Sequence, residues 1–526
     1  MMHLGLIQAM SRPDFYPHHP KNIEVLQTHI SFIFLADQYV YKVKKAVDFG
    51  FLDFTTLQKR EFYCREELRL NRRLAPEAYI DVLPISLNTQ GHLVLGKAGQ
   101  VVEYAVLMKR LPRDKMLKNL LASGQFAEDA MDSIAQKVAA FHREAETGGR
   151  IDEIGGYQTV CFNHEENFEQ TLPYVGFTIT LRQFLFICDY ARQFLSFHED
   201  LFRQRVKNHK IRDCHGDLHI EHIVVDNGIT IFDCIEFNER LRYGDVAAEV
   251  AFLAMDLDFN TYPNHAAKFI SSYIQYAADP DVTRLLNFYK CYYAYVRGKV
   301  TGFRTRDKSI PDLKHREAAI TAAHYFDLAY GYAARIEKPA LIIMSGLMGT
   351  GKSLLARKLS TKLGAAIIRM DALRKEMLGI APTDKHLEAF GNGIYADDIS
   401  RKTYGEALKR AVSLLKSGVS IIIDASFKKQ LERFKAANAA KAAGADFFVI
   451  ECRCPDRIIE KRLRARAGNL REPSDGRLGI FLEQKNDYES ITEFPPDMHI
   501  VINTDSDPED SRDEALRFIR RIAKNA

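Results

Sequence analysis

The sequence predicts two units of different class, an α+β unit over residues 1–335 and an α/β unit over residues 339–526. Three observations carry this division. Residues 23–109 alternate like strands around one strongly charged helical segment, whereas beyond Pro112 long helical patterns take over. From Leu341 onward short apolar strands alternate with helices, the pattern of a parallel sheet with helices on both faces. Pro339 falls between the two regimes, after a helical run that ends near Arg335. A length of 526 residues suggests two to four domains, each able to bury a substantial core.

In chain order, VLQTHISFIFLADQYVYKVKK reads as two strands joined by a tight turn near Asp37 and Gln38, with Val40, Lys42 and Lys44 on one face. A charged helix follows over EFYCREELRLNRRLAP, then strands at Tyr79 to Leu83, GHLVLGKAG and VVEYAVLMKRL. MDSIAQKVAAFHREAE and LRQFLFICDYARQFLSFHEDLFRQRVK each read as a helix. Between them and the later helices lies IRDCHGDLHIEHIVVDNGITIFDCIE, a loop and two short strands around a turn at Asn227-Gly228. The second unit offers strands at Leu341 to Ser345, Ala365 to Met370, Ser420 to Ile423, Phe447 to Cys452 and His499 to Asn503.

Composition excludes several classes. With 73 basic against 69 acidic residues and 46% hydrophobic content, the chain is globular in type and its net charge of +4 does not nominate nucleic acid. No apolar run is long enough to span a bilayer, and MMHLGLIQAMSRPDF lacks the apolar core of a signal peptide, so the expectation is a cytoplasmic protein without a membrane partner. The eight cysteines are scattered. Only Cys452 and Cys454 lie close together, on one strand face where two buried thiols are expected.

The most specific motif is GLMGTGKS, Gly346 to Ser353, entered by an apolar strand and left by the helix-forming LLARKLSTKLG. It reads as a phosphate-binding loop: Gly346, Gly349 and Gly351 let backbone N–H groups of the loop, through Thr350 to Leu354, turn inward on a phosphate. Lys352 adds a cation for the β- and γ-phosphates, and the Ser353 hydroxyl is a ligand for Mg²⁺. The expected cofactors are ATP and Mg²⁺. Strand two leads into Asp371 and Arg374, three residues apart at the start of a helix and directed to the crevice at the strand's carboxyl end. Strand three ends in Asp424, placed to anchor Mg²⁺ through water, and both carboxylates also suit helix caps. CPDRIIEKRLRARAGNLREPSDGR reads as a helix and mobile lid that brings Arg466, or less directly Arg462 and Arg471, to the transferring phosphoryl group. These residues resemble those of the P-loop kinases that include polynucleotide 5′-kinases, zeta toxins and gluconate kinase, over about residues 340–505. That resemblance implies a P-loop NTPase domain with Asp371 as the base for an acceptor hydroxyl.

HGDLHIEHIVV followed by IFDCIEF resembles the catalytic centre of the aminoglycoside phosphotransferase and choline kinase family, over about residues 20–330. The resemblance implies a two-lobed protein-kinase-like fold with ATP in the cleft, Asp217 orienting the acceptor hydroxyl and Asp233 holding Mg²⁺. It also implies a lysine on the α- and β-phosphates, Lys42 with Glu67 as ion-pair partner, or alternatively Lys44. Two departures stand out. His222 occupies the place of the family's asparagine, the second metal ligand, and imidazole suits hard Mg²⁺ poorly. His222 then either stays a metal ligand or bonds a phosphate while Glu236 supplies the missing oxygen. The first hairpin lacks a glycine-rich loop, leaving Thr28 to Ser31 as the only flap. His142 and His215 read as packing and bracing residues.

The sequence therefore points to a two-unit, ATP- and Mg²⁺-dependent phosphotransferase for small-molecule hydroxyl acceptors. The alternatives are an N-terminal nucleotide-binding module that regulates the P-loop unit, and a P-loop unit acting on nucleic-acid ends, which the near-balanced charge does not favour. No oligomeric state follows from the sequence.

Overall fold

A six-stranded antiparallel sheet in the order β1-β2-β3-β6-β4-β5 forms the small lobe of the first unit. Its strands are β1 (Ile23–Gln27), β2 (Ser31–Ala36), β3 (Tyr39–Lys44), β4 (Tyr79–Leu87), β5 (Leu93–Leu95) and β6 (Gln100–Lys109). The computed structural model describes residues 2–307, 311–336, 338–381, 384, 391–466 and 478–522. The chain divides into two compact units, Met1–Ala333 and Ala334–Ala526.

The first hairpin is three strands rather than two. Thr28 Oγ1 accepts from Ser31 N at 2.9 Å and Thr28 N donates to Ser31 O, which folds THIS into a tight turn between β1 and β2. The predicted turn at Asp37 and Gln38 joins β2 to β3, with Asp37 at φ 52°. Alternation then splits the small lobe's apolar residues. Tyr41 and Val43 pack with Phe34 and Ile85 on one face, and Val40 packs with Val106 and Tyr79 on the other. Lys42 and Lys44 share the face of Val40, toward the helix Leu57–Asn71. That helix starts four residues before the predicted segment because Thr56 Oγ1 accepts from Lys59 N and caps it.

The large lobe is helical, with the pairs β7 (Ile211–Asp213) to β10 (Tyr243–Asp245) and β8 (Ile223–Val225) to β9 (Ile229–Ile231) set into it. The single helix expected over residues 181–207 is two, Leu181–Phe197 and Glu199–Lys207. His198 leaves helical geometry, and Glu199 and Asp200 start a new first turn. Helix Val246–Phe259 is buried along nearly its whole length, and the large lobe packs around it.

Two buried polar features of this lobe give measurable stability effects. Arg205, 2% exposed, forks onto Asp245 at 2.5 and 2.8 Å and onto Asp279 at 2.7 and 2.8 Å. Asp245 also caps helix Val246–Phe259 through Ala247 N. Arg205→Ala leaves the buried Asp245 without a cation and Asp279 with only Lys210, 3.2 Å away, and is expected to destabilise the first unit by about 3–5 kcal/mol. Denaturant unfolding followed by circular dichroism checks it, and a midpoint unchanged from wild type would contradict it. His164 is buried, donates Nδ1–H to Val160 O at 2.8 Å and stacks on Phe288, and burial pushes its pKa down to about 4. Because the folded ring resists a proton that the unfolded ring takes near pH 6.5, its stabilisation is full above that pH. It is lost as pH falls toward 4, by up to about 3 kcal/mol. His164→Phe should flatten that part of the stability–pH curve, leaving the share of His215, which is depressed in the same way.

The second unit is a five-stranded parallel sheet, order β12-β13-β11-β14-β15, built from β11 (Ala340–Ser345), β12 (Ala366–Arg369), β13 (Ile421–Asp424), β14 (Asp446–Arg453) and β15 (His499–Asn503). Leu341 and Ile343 of β11 face Ala407, Ala411, Ala436 and Ala440 from the helices Asp397–Lys416 and Gln430–Ala442. The helices Lys352–Leu363 and Pro508–Ile522 pack together on the other face. The central strand β11 is where the strand order reverses, so the loop after it opens on the crevice at the strands' carboxyl ends. Cys452 is buried in β14, while Cys454 lies past the strand end and is only partly covered, so the expected pair of buried thiols is one. Among the described residues, no helix is long and apolar enough to cross a membrane.

Candidate functional site

Each unit gathers a lysine and two carboxylates at one place. In the first unit, Lys42 Nζ lies 2.8 Å from Glu67 Oε1 and 2.7 Å from Asp233 Oδ1, so β3, helix Leu57–Asn71 and the segment after β9 meet at one cation. Lys44 is 1% exposed, sits 2.6 Å from the other oxygen of Glu67 and also pairs with Glu236. The structure thus separates the two lysines: Lys42 reaches the cleft carboxylate, while Lys44 neutralises a buried pair beneath it. Glu236 Oε1 is engaged by Lys44 within this buried cluster. Burial would lower Lys42, but Asp233 and Glu67 outweigh it and hold its pKa well above the usual value. For the buried acids, burial raises Glu236 and a neighbouring Glu67 adds to that, whereas Lys42 and Lys44 together pull Glu67 below its usual range.

Asp233 itself has a left-handed backbone, φ 63°, a conformation that costs energy for a residue with a Cβ. Neighbours from the small lobe hold it there. Asp233 N donates to Tyr79 Oη at 3.2 Å, and Cys234 N donates to Asn71 Oδ1 at 2.9 Å. The Asp217 loop is held from the large lobe. Glu249 accepts from His215 N at 2.9 Å and Gly216 N at 2.7 Å, and its other oxygen meets His142 Nε2 at 2.7 Å. His142 Nδ1 is 2.7 Å from the Tyr273 hydroxyl, a buried bracing role. His215 Nε2 donates to Phe232 O at 2.9 Å and ties the two loops together. Gly216, at φ 84°, has no room for a Cβ against Leu241 O.

Around Asp217 stand His219 Nε2 at 3.6 Å and His222 Nδ1 at 3.5 Å from Oδ2. Burial would raise the Asp217 carboxyl, but His219, His222 and Arg297 outweigh it and hold it well below the usual range. Burial would likewise raise Asp233, and Lys42 and His222 overcome it. Both carboxylates are charged at neutral pH. Sequence reasoning missed His219, Arg297, Tyr79, Asn71 and Glu249. Only His219 carried a local signal, as the last residue of HGDLH.

In the second unit, the loop Gly346 to Gly351 has all three glycines at positive φ, 127°, 78° and 87°. A Cβ on Gly346 would collide with Cys452 O, and one on Gly349 would press on Ile459 and Leu463. Lys352 Nζ bends back to Gly346 O at 2.9 Å and Leu347 O at 2.7 Å. Thr350 is buried, its hydroxyl donates to Leu347 O at 2.7 Å, and its carbonyl accepts from Thr504 Oγ1 at 2.5 Å. Leu354, 42% exposed, lies in the first turn of helix Lys352–Leu363, where its backbone N–H donates to Gly351 O at 3.1 Å.

Ser353 hydrogen-bonds Asp424, whose pKa is raised by burial despite Ser353, Lys352 and Arg369, with Asp371 adding to the rise. Arg369 Nε lies 3.7 Å from Asp424 Oδ2. Asp371 Oδ1 pairs with Arg374 Nη1 at 3.2 Å, and the Arg374 guanidinium covers the Tyr395 ring. Neither carboxylate caps a helix. Arg369 is the N-cap before Asp371, and the helix after Asp424 begins only at Gln430. Two oxygen donors side by side, Ser353 and Asp424, fit a hard Mg²⁺ ion, and the glycine cradle fits a polyphosphate. Arg462 is turned to the loop floor, with Nη2 donating to Thr504 O at 2.7 Å and Nη1 near the place a Gly351 Cβ would fill. Arg466 ends the helix Asp456–Arg466, and its side chain, like Arg471 and the lid segment, lies outside the described residues.

Residues 63–286 match the family model described as the phosphotransferase enzyme family, and residues 341–491 match that of an AAA domain. The uncharacterized protein Rv2004c of Mycobacterium tuberculosis H37Rv is 31% identical over 449 residues, 85% of this chain and 86% of that one. The uncharacterized protein Mb2027c of Mycobacterium bovis matches to the same extent. Among solved structures, a gluconokinase from Sinorhizobium meliloti 1021 aligns with 36% of this chain and 97% of its own at 20% identity and TM-score 0.27. The GDP complex of aminoglycoside 2′-phosphotransferase-IIIa aligns with 62% of this chain and 98% of its own at 15% identity and TM-score 0.38.

Proposed function

The chain belongs to one family with the mycobacterial proteins Rv2004c and Mb2027c, and from that premise we propose that it is an ATP- and Mg²⁺-dependent phosphotransferase with two active units, each acting on a hydroxyl of a small molecule. One observation carries the reading: both units assemble a lysine and two carboxylates from separate elements. Phosphoryl transfer asks for little more than positioning and neutralisation of charge, which such a set supplies. In the first unit Lys42 steadies the phosphates, Asp233 binds the cation and Asp217 orients the acceptor hydroxyl. In the second, the glycine loop and Lys352 hold the phosphates and Ser353 with Asp424 holds Mg²⁺. Asp371 accepts the acceptor's proton while Arg374 fixes its carboxylate.

A second reading rests on His222, which sits between the two carboxylates of the first unit. In it, that unit binds nucleotide without transfer and regulates the P-loop unit. ADP release from ATP and Mg²⁺, measured against a fractionated small-molecule extract, separates the two. Acceptor fractions whose products depend on Asp217 support two kinases. ADP release that ignores every fraction overturns the acceptor assignment, and tight ATP binding by the first unit with no Asp217-dependent product supports the regulatory reading.

A further inference from the structure

The His222 ring packs on His219 and Phe232 and brings its Nε2 to 3.5 Å from Asp233 Oδ2. Its Nδ1 lies 2.9 Å from the backbone carbonyl oxygen of Asp217, which can only accept, so Nδ1 carries the ring proton. The neutral ring then presents the lone pair of Nε2 to Asp233 Oδ2 at 3.5 Å. Asp233 has its other oxygen, Oδ1, on Lys42 at 2.7 Å, which leaves Oδ2 directed at the imidazole. An imidazole nitrogen and a carboxylate oxygen at this spacing are held by a proton on Nε2 or by a metal ion between them.

The spacing suits such a cation. Ligand atoms each about 2.1 Å from one ion stand about 3.0 Å apart at a right angle and about 3.4 Å apart at the tetrahedral angle. The Asp217 carboxylate lies on the other side of the ring, its Oδ2 3.5 Å from Nδ1, so His222 stands between the two carboxylates. His219 is turned differently. Its Nδ1 accepts from Glu221 N at 3.3 Å, so its Nε2–H points at Asp217 and orients that carboxylate instead of offering a lone pair.

We propose that the first unit binds its divalent cation through His222 Nε2 and Asp233 Oδ2, and that this mixed nitrogen–oxygen set favours first-row transition ions over Mg²⁺, with Mn²⁺ serving as the paramagnetic probe of the site. Mg²⁺ takes oxygen ligands and holds them in a strict octahedron, whereas imidazole suits the later transition ions (Fe, Ni, Cu, Zn), and Mn²⁺, itself oxygen-preferring, reports the nitrogen ligand without being its best partner. The oxygen pair Ser353 and Asp424 of the second unit has no such bias, so one chain would carry two sites of different ion preference. The inference rests on the reading of the Asp217–Asp233 cleft as a nucleotide site, but not on its turnover.

The test is pulsed electron paramagnetic resonance on the full chain with Mn²⁺ and a non-hydrolysable ATP analogue. The expected result is a nitrogen coupling of directly bound imidazole, which changes from the ¹⁴N to the ¹⁵N pattern when histidine alone is labelled. His222→Asn should lose the coupling while still binding Mn²⁺, and the Mg²⁺ concentration that displaces Mn²⁺ from this site should fall by at least about tenfold. The isotope shift in the unaltered chain keeps the test decisive if the variant folds poorly. Mn²⁺ bound with no nitrogen coupling, a coupling that survives His222→Asn, or an unchanged displacement ratio would overturn the proposal. An active first unit with an oxygen-only ion would sink this inference and leave the function standing. An inactive unit with nitrogen-bound Mn²⁺ would do the reverse.

Discussion

Lys352→Ala is expected to lower phosphoryl transfer by the P-loop unit about a thousandfold and leave its unfolding transition within about 0.5 kcal/mol of wild type. The two halves of this expectation have separate causes. The loop's shape is set by glycines at positive φ and by contacts that do not involve the lysine, namely Thr504 Oγ1 to Thr350 O and Met348 N to Gln484 Oε1. The ammonium group, by contrast, bends back over the carbonyls of Gly346 and Leu347, within the electrostatic reach of Asp424. Removing it leaves the cradle formed but takes away the one full positive charge that the loop itself adds to the amides. A fixed cation aimed at developing charge in a water-poor site is worth several kcal/mol of barrier. Single-turnover transfer to an acceptor of that unit is the measurement, with nucleotide affinity followed by calorimetry because the chain contains no tryptophan. Unchanged turnover would remove the P-loop unit from the chemistry.

Asp217→Asn is expected to cost the first unit about a hundred- to ten-thousandfold in transfer while ATP affinity stays within about threefold. Asparagine keeps the size of the side chain, and the loop around it is pinned by Glu249 through His215 N and Gly216 N. The loss therefore reports the charge that orients the acceptor, not a collapsed loop. The pH profile gives an independent sign. Burial pushes Asp217 up, but His219, His222 and Arg297 pull it further down, so the carboxylate stays ionised throughout the ordinary carboxylate range. The intact unit should then show no acid limb from Asp217 above about pH 4. An acid limb at pH 5–6 that disappears in Asp217→Asn would contradict the assigned environment. Acceptor fractions sensitive to Asp217→Asn alone and others sensitive to Lys352→Ala alone would establish two kinases on one chain.

The two expectations differ in how far the sequence foresaw their settings. Around Lys352 nearly everything is local: the glycines, Thr350, Lys352 and Ser353 lie within eight consecutive residues, and an apolar strand and a helix pattern flank them. The five parallel strands were equally legible, because runs such as Leu341 to Met344 and Ile421 to Ile423 are buried on both faces and need no alternation to be read. Asp371 and Asp424 follow from that reading, as residues at the carboxyl ends of strands two and three. Thr28 to Ser31 and His198, where one predicted element became two, were missed because a side-chain-closed turn at Thr28 and a single non-helical residue at His198 interrupt patterns whose period continues across them.

What the sequence by itself determined is which residue types are available and where strands and helices present them: Asp217, Asp233 and a lysine on β3, and a complete phosphate loop after β11. The tertiary structure decided between Lys42 and Lys44, since only folding brings Asp233 to one and Glu236 to the other, some 190 residues away along the chain. It also decided the left-handed turn at Asp233, which no residue type there requires and which Tyr79 and Asn71 of the small lobe hold in place. The same holds for the orientation of His222, fixed by a backbone carbonyl five residues before it. Local periodicity encodes burial, which sequence carries in every few residues. Charge pairing and ring orientation depend on distances between segments that meet only once the core has closed.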